Sequence, residues 1–105
     1  METETEDRLQ TLIQLYREGY RNPVIDQAVE KLVALEVVQA REELLRLQER
    51  LANFEETHEM TSSEFYDKFR SGVLGDEMAF VEWSSFWDMH LATQRRLDEL
   101  TKASI

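Results

Sequence analysis

The chain is short, acidic and free of cysteine. Its 105 residues leave room for one domain with one modest core, and 12 basic against 22 acidic residues give a formal net charge of -10. This balance argues against nucleic acid and anionic membranes as partners, and the lack of cysteine excludes disulfides and thiolate metal sites.

No uninterrupted apolar run approaches the roughly 20 residues that a membrane span needs. The sequence begins Met-Glu-Thr-Glu-Thr-Glu, which has neither the positive start nor the apolar stretch of a signal peptide. We therefore expect a cytoplasmic protein without a membrane partner.

The first predicted helix covers about residues 6–18. Its apolar residues recur at the i, i+3, i+4, i+7 spacing of one helix face, at Leu9, Leu12, Ile13 and Tyr16. Acidic residues precede this helix, as the helix dipole favours, and Gly19 lies where the C-terminal stop is expected.

The second predicted helix covers about residues 23–57. Asn22 is a good N-cap, Pro23 suits the first helical position, and no helix breaker follows. Apolar residues recur along it in alternating steps of four and three, which predicts a coiled-coil-like seam. The seam consists of Val33, Val37, Ala40, Leu44, Leu47, Leu51 and Phe54.

The first half of this helix has a wider apolar surface than a single seam. That surface consists of Ile25, Ala28, Val29, Leu32, Val33 and Leu35. One short neighbouring helix can cover only part of such a surface. We therefore expect a second copy of the chain, or another protein, to bury the remainder.

Two helix starts are predicted in the second half of the chain. Thr61 and Glu64 form a capping box that predicts a short helix over residues 62–70. Asp76 is the expected N-cap of a last helix over about residues 76–101. This last helix carries an apolar stripe with the same three- and four-residue steps as the seam of the second helix. The stripe consists of Trp83, Phe86, His90, Thr93, Leu97 and Leu100.

These elements predict an all-α fold with one helical domain over residues 1–105. The long central helix is expected to form an antiparallel helical hairpin or bundle with the last helix, because helices joined by a compact connection usually pack antiparallel. Coiled-coil-like packing and a homodimer are part of the prediction. Residues 1–5 and 102–105 are expected to be disordered.

The strongest candidate for a chemical site is Glu55 with His58, whose Glu-x-x-His spacing puts both side chains on one helix face. Di-iron bundles need two such motifs, and here there is one. His90 lies on the apolar stripe, where it is either a pH-sensitive group or a space-filling residue with one hydrogen bond. We predict no enzymatic activity and no catalytic, cofactor-binding or metal-binding residue.

Two further motifs have simpler explanations than ligand binding. The segment from Gly72 to Asp76 lacks the lysine of a phosphate-binding loop, so a turn followed by an N-cap is sufficient. Arg17, Arg21 and Lys31 flank the turn after the first helix, but acidic residues in the second helix argue against DNA contact.

Aromatic residues cluster at the start of the last helix, where they form either the hairpin core or a binding surface. Four aromatics at positions 80, 83, 86 and 87 cannot all point the same way on a helix. The residues predicted at a partner or dimer interface are Tyr16, Tyr20, Ile25, Val29, Leu32, Phe80, Trp83 and Trp87.

Several segments together resemble a known group of short, acidic, all-helical bacterial proteins. They are residues 15–20 (LYREGY), 22–28 (NPVIDQA) and 54–66 (FEETHEMTSSEFY), followed by Phe69, Gly72, residues 74–76 (LGD) and residues 81–83 (VEW). This group looks like the antitoxin-type components of two-gene toxin–antitoxin modules. The resemblance implies a protein that binds and neutralises a small basic toxin. It does not extend to self-repression of the operon, because no DNA-binding domain is recognisable here.

The sequence thus supports two leading functional hypotheses. The first is a non-enzymatic protein–protein interaction module, an antitoxin-like inhibitor whose acidic surface attracts a basic partner. The alternative is a structural homodimeric coiled-coil adaptor. An enzyme or metal protein built on a helical bundle around Glu55, His58 and His90 is a third hypothesis.

Overall fold

The computed structural model describes residues 3–103, without the side chain of residue 103. These residues form four helices and no strand, which confirms the predicted all-α class for this part of the chain. The helices are α1 (Glu4–Arg17), α2 (Pro23–His58), α3 (Ser62–Arg70) and α4 (Met78–Ala103). None of these four is long and apolar enough to cross a membrane.

Helix α1 begins two residues earlier than predicted. The hydroxyl of Thr3 caps it by accepting a hydrogen bond from the backbone N–H of Glu6 at 3.1 Å. The predicted end is confirmed, because Gly19 has a φ of 101° and the N–H of Tyr20 donates to the carbonyl of Leu15 at 3.0 Å.

The prediction of disorder at the two ends of the chain is wrong for residues 4–5 and 102–103, which are helical. The Thr3 cap accounts for the first pair, and α4 continues past its predicted end at residue 101. Residues 1–2 and 104–105 lie outside the described residues.

Helix α2 begins as its cap residues predict. The side-chain oxygen of Asn22 accepts from the N–H of Val24 at 2.9 Å, and Pro23 is the first helical residue. The helix ends where Glu59 takes a φ of 53°, a left-handed conformation that is uncommon for a residue other than glycine.

The start of α3 is confirmed and the start of α4 is corrected. Thr61 accepts from the N–H of Glu64 at 3.1 Å, as a capping box requires, although the Glu64 carboxylate accepts from the Thr61 hydroxyl rather than from its backbone. Asp76 is not the N-cap of α4, because the backbone stays irregular through residue 77. The carbonyl of Glu77 accepts the first helical bonds.

The chain divides into two compact units, and the boundary falls within α2. Unit 1 is Met1–Lys31 and unit 2 is Leu32–Ile105. None of the described residues of unit 1 is buried, whereas unit 2 contains the whole buried core. A single domain over the full chain stays a prediction.

Within unit 2, α2 and α4 pack antiparallel. The rings of Phe54 and Trp83 stack with centroids 5.5 Å apart, while Arg96 forms a 2.6 Å ion pair with Glu43. Residue numbers therefore rise along one helix as they fall along the other. Central residues of the two predicted apolar stripes are buried, namely Ala40, Leu44, Leu47 and Leu51 of α2 and Trp83 and Thr93 of α4.

Candidate functional site

The aromatic cluster at the start of α4 forms the core of unit 2. Trp83 is 0% exposed, and its ring stacks on Phe65 of α3 with centroids 3.8 Å apart and planes inclined by 5°. The indole N–H donates to the hydroxyl of Ser62 at 2.9 Å, which satisfies its buried polar group. Trp83 is therefore a core residue with no surface to offer a partner in this structure.

The other two predicted interface residues of α4 lie partly at the surface. Phe80 is half-buried, with its ring centroid 5.7 Å from Phe65 and 5.4 Å from His58. Trp87 is also half-buried and stacks on His90 at 5.3 Å. Both belong mainly to the packing of unit 2, which is the first of the two interpretations of this aromatic cluster.

In unit 1 the two tyrosines form a hydrogen-bonded turn. The hydroxyl of Tyr16 donates to a carboxylate oxygen of Asp26 at 2.6 Å and lies 3.0 Å from the carbonyl of Asn22. The hydrogen bond to Asp26, followed by partial burial, raises the pKa of Tyr16 above its usual 10.0. Tyr20 is exposed and meets the Tyr16 ring edge-on at 6.3 Å.

The remaining predicted interface residues lie on α2. Ile25 and Val29 belong to unit 1, where Ile25 is half-buried and Val29 exposed. Leu32 is the first residue of unit 2 and is exposed. The structure thus leaves Tyr20, Val29 and Leu32 available to a partner.

Two of the most exposed apolar residues on α2, Val38 and Leu45, are absent from the predicted interface. Their signal is present in the sequence, because they continue the spacing that starts at Leu35. The single stripe through Ala40 and Leu44 is enough to predict the helix, so the predicted interface does not include this second stripe.

Glu55 and His58 have structural roles in unit 2. A Glu55 carboxylate oxygen accepts from the N–H of Ser62 at 2.7 Å, which satisfies an otherwise free donor in the first turn of α3. The His58 ring stacks on Trp83 at 5.3 Å. Among the described residues, no group of three or more His, Asp and Glu side chains is placed to hold a metal ion.

His90 differs from its predicted environment. The space-filling interpretation includes one hydrogen bond, but the Nδ1 atom of His90 is buried without a hydrogen-bond partner. Its ring instead lies nearly parallel to Trp87, with planes inclined by 16°. The side chain is half-buried on the apolar stripe of α4.

An open groove of about 580 Å³ lies beside the Phe54–Phe86 contact of unit 2. Its lining mixes charged, polar and aromatic side chains: Arg50, Asn53, Phe54, Thr57, His58, Ala79, Glu82 and Phe86. The guanidinium of Arg50 lies 5.2 Å from the ring centre of Phe86. The guanidinium of Arg50, the only basic lysine or arginine group in this lining, therefore makes a cation–π contact with a neighbouring lining residue.

Arg21, one of the basic residues near the first turn, makes its contacts within unit 1. Arg21 donates to the backbone carbonyls of Tyr16 at 2.9 Å and Tyr20 at 2.6 Å, and its guanidinium lies 5.1 Å from the Tyr16 ring centre. These contacts close the turn of unit 1. Gly72 and Gly75 likewise serve a turn, since both have positive φ angles, of 83° and 82°.

Comparison with protein-family models, with curated proteins and with solved structures finds no match to this chain.

Proposed function

We propose that this protein is a non-enzymatic protein–protein interaction module, an antitoxin-like inhibitor that acts in the cytoplasm on a small basic protein. The observation that carries the proposal is the exposed apolar face of α1 in unit 1. Leu9 is 50% exposed and Ile13 43% exposed, although both belong to the helical pattern of a face that is normally buried.

Apolar side chains on one helix face gain free energy when a partner covers them, at about 25 cal/mol per Å² removed from water. Leu9, Ile13 and Val29 supply such side chains within unit 1, and Tyr20 adds an exposed aromatic ring of the kind that dominates interface energies. A binding face of this composition supports a role in recognition.

Charge selects the kind of partner. Unit 1 contains seven acidic and four basic residues, and unit 2 contains 15 acidic and eight basic residues. Both units are therefore negative, which accelerates association with a positively charged protein and disfavours an acidic one. This agrees with the small basic toxin that the family resemblance implies.

The experiment is co-expression with the product of the neighbouring gene, followed by affinity purification and a growth assay. We expect a stable complex and rescue of growth.

The double substitution Leu9→Glu with Ile13→Glu should abolish the complex while leaving the helical circular dichroism intact, because both side chains are already half exposed. The matched control is Gln10→Glu, an added negative charge at an exposed position of α1 off the apolar face. Absence of a complex with wild-type protein, or no growth rescue, overturns the inhibitor proposal.

The alternative function is a structural homodimeric adaptor with coiled-coil-like packing. It is favoured by the second exposed apolar stripe on α2, which runs from Leu35 to Leu45. Self-association through this stripe would need no toxin. Deleting the neighbouring gene distinguishes the two functions. An inhibitor becomes dispensable without its target, whereas an adaptor is still required.

A further inference from the structure

The side of α2 that faces away from α4 carries an apolar stripe within unit 2. We call Leu35, Val38 and Leu45 the outer stripe. They are 54%, 53% and 63% exposed. At 100° per residue, they lie on the opposite side of the helix from the buried Ala40, Leu44 and Leu47. No described side chain of unit 2 buries this stripe.

The spacing of the outer stripe is that of a helix–helix seam. Leu35, Val38, Glu42 and Leu45 follow one another in steps of three, four and three, which are the a and d positions of a heptad. One a position, Glu42, is charged. A charged residue in a seam restricts which partner and which register can pair with it.

We propose that the outer stripe binds helix α2 of a second copy of this chain, with the two α2 helices antiparallel. Leu35 of each copy then lies against Val38 of the other, and Leu45 lies against Ala28. Antiparallel helices pair an a position with a d position, and Leu35 and Val38 are such a pair. The contact is made twice about a two-fold axis, which gives a closed dimer.

Charge favours this arrangement over two other ways of pairing two copies. A parallel dimer places Glu42 against Glu42, and the antiparallel register one heptad further along places Arg41 beside Arg41. Both bring like charges together. In the proposed register, Glu42 lies opposite Lys31 of the second copy, so opposite charges meet.

The dimer is expected to be reversible rather than obligate. The apolar part of the stripe covers about 11 residues of helix, or about 16 Å, which is a small contact by the standards of stable protein interfaces. We expect a dissociation constant of about micromolar order, so that self-association depends on concentration. This dimer does not involve α1 and is independent of the inhibitor proposal.

Sedimentation equilibrium of the full chain and of two charge variants tests the proposal. Wild-type protein should be a dimer at high concentration. Leu35→Glu with Val38→Glu places glutamates opposite each other and should weaken the dimer by more than about 30-fold, the size of a hot-spot loss. Leu35→Glu with Val38→Lys sets the new glutamate of each copy against the new lysine of the other in the proposed register, and should retain the dimer.

The control for fold and charge is Val73→Glu, at an exposed apolar residue in the turn after α3. It should behave as wild type, and circular dichroism should be unchanged for all variants. A wild-type protein that stays monomeric at high concentration, several hundred times the expected micromolar constant, overturns the dimer. An undiminished dimer in the doubly acidic variant overturns the surface, and dissociation of the mixed-charge variant overturns the register.

Discussion

Both units contain apolar residues at helical spacing, but only unit 2 buries some of them completely. In unit 2, three helices converge, so that Trp83 and Phe65 stack and lose all contact with water. In unit 1, α1 and the start of α2 are held by a turn whose contacts are polar, between Tyr16, Asp26 and Arg21. None of its described apolar side chains is buried, and Leu9, Ile13 and Val29 are exposed.

Under the proposed function, this difference separates stability from recognition. Apolar burial is the main source of folding free energy, so unit 2 must supply most of the stability of the chain. Unit 1 keeps apolar area that adds little to folding and is free to be buried by a partner. Substitutions in the two units should therefore divide into those that unfold the protein and those that alter what it binds.

The largest effect is expected from Trp83→Ala in unit 2. Removing a fully buried tryptophan leaves a cavity, and such changes cost about 3–5 kcal/mol of unfolding free energy. Leu9→Ala in unit 1 should change the same quantity by less than about 0.5 kcal/mol, because surface substitutions rarely do more. Urea denaturation followed by far-ultraviolet circular dichroism measures both. Similar losses in the two variants would contradict the division.

A smaller effect is expected from Ser62→Ala, which removes the acceptor of the Trp83 indole N–H. A buried donor left without a partner costs about 1–3 kcal/mol. The matched control is Ser63→Ala, at the exposed neighbouring position in the first turn of α3, which should be close to neutral. If the two alanine variants denature at the same urea concentration, the hydrogen bond contributes nothing to the core.

The next substitution is expected to raise the unfolding free energy rather than lower it. Glu59 holds a left-handed conformation that costs an L-residue about 1–2 kcal/mol relative to glycine. Glu59→Gly should therefore raise the unfolding free energy of unit 2 by about 1 kcal/mol, after the entropy of glycine in the unfolded chain is deducted. Gly72→Ala, at a φ of 83°, should lower it, since its Cβ has open space but an unfavourable backbone. Equal urea midpoints for the two variants would show that neither turn is sensitive to backbone conformation.

Glu59 also shows where sequence reasoning ends. Helix ends with a local chemical cause can be predicted, as at Asn22, Thr61 and Gly19, because each cap is made by residues within one turn. The end of α2 at His58 lies within one residue of the predicted end, but the left-handed conformation of Glu59 has no such signal, since this residue is not glycine. The predicted N-cap of α4 is one residue too early because Asp76 and Glu77 are adjacent acidic residues that both suit a helix start.

The candidate site is less predictable than the fold. The helical spacing places Leu44, Leu51 and Trp83 on apolar faces, and all three are buried, but it cannot tell that Trp83 is buried completely. That outcome depends on α3, which brings Phe65 and Ser62 from 18 to 21 residues away in sequence. The role of Glu55 as a cap for α3 depends on the connection between α2 and α3, which brings the N–H of Ser62 to its carboxylate.

The smallest effect concerns titration in unit 1. The pKa of Tyr16 is raised because its hydroxyl donates to the Asp26 carboxylate, and ionisation would place two negative charges side by side. Protonated Tyr16 therefore stabilises the fold fully below its unfolded pKa of 10.0, and this contribution is lost as the pH rises through the higher folded value.

Carbon-13 NMR of ring-labelled tyrosine measures the midpoint of the Tyr16 titration directly. Asp26→Asn removes the negative charge and should lower that midpoint toward 10.0, while the core of unit 2 keeps its urea midpoint at neutral pH. The effect on unfolding is small because the pair lies at the surface, where water screens the charges. A midpoint that does not respond to Asp26→Asn would show that the turn of unit 1 is held by other contacts. Unit 1 would then not depend on the Tyr16–Asp26 hydrogen bond in the way that unit 2 depends on its core.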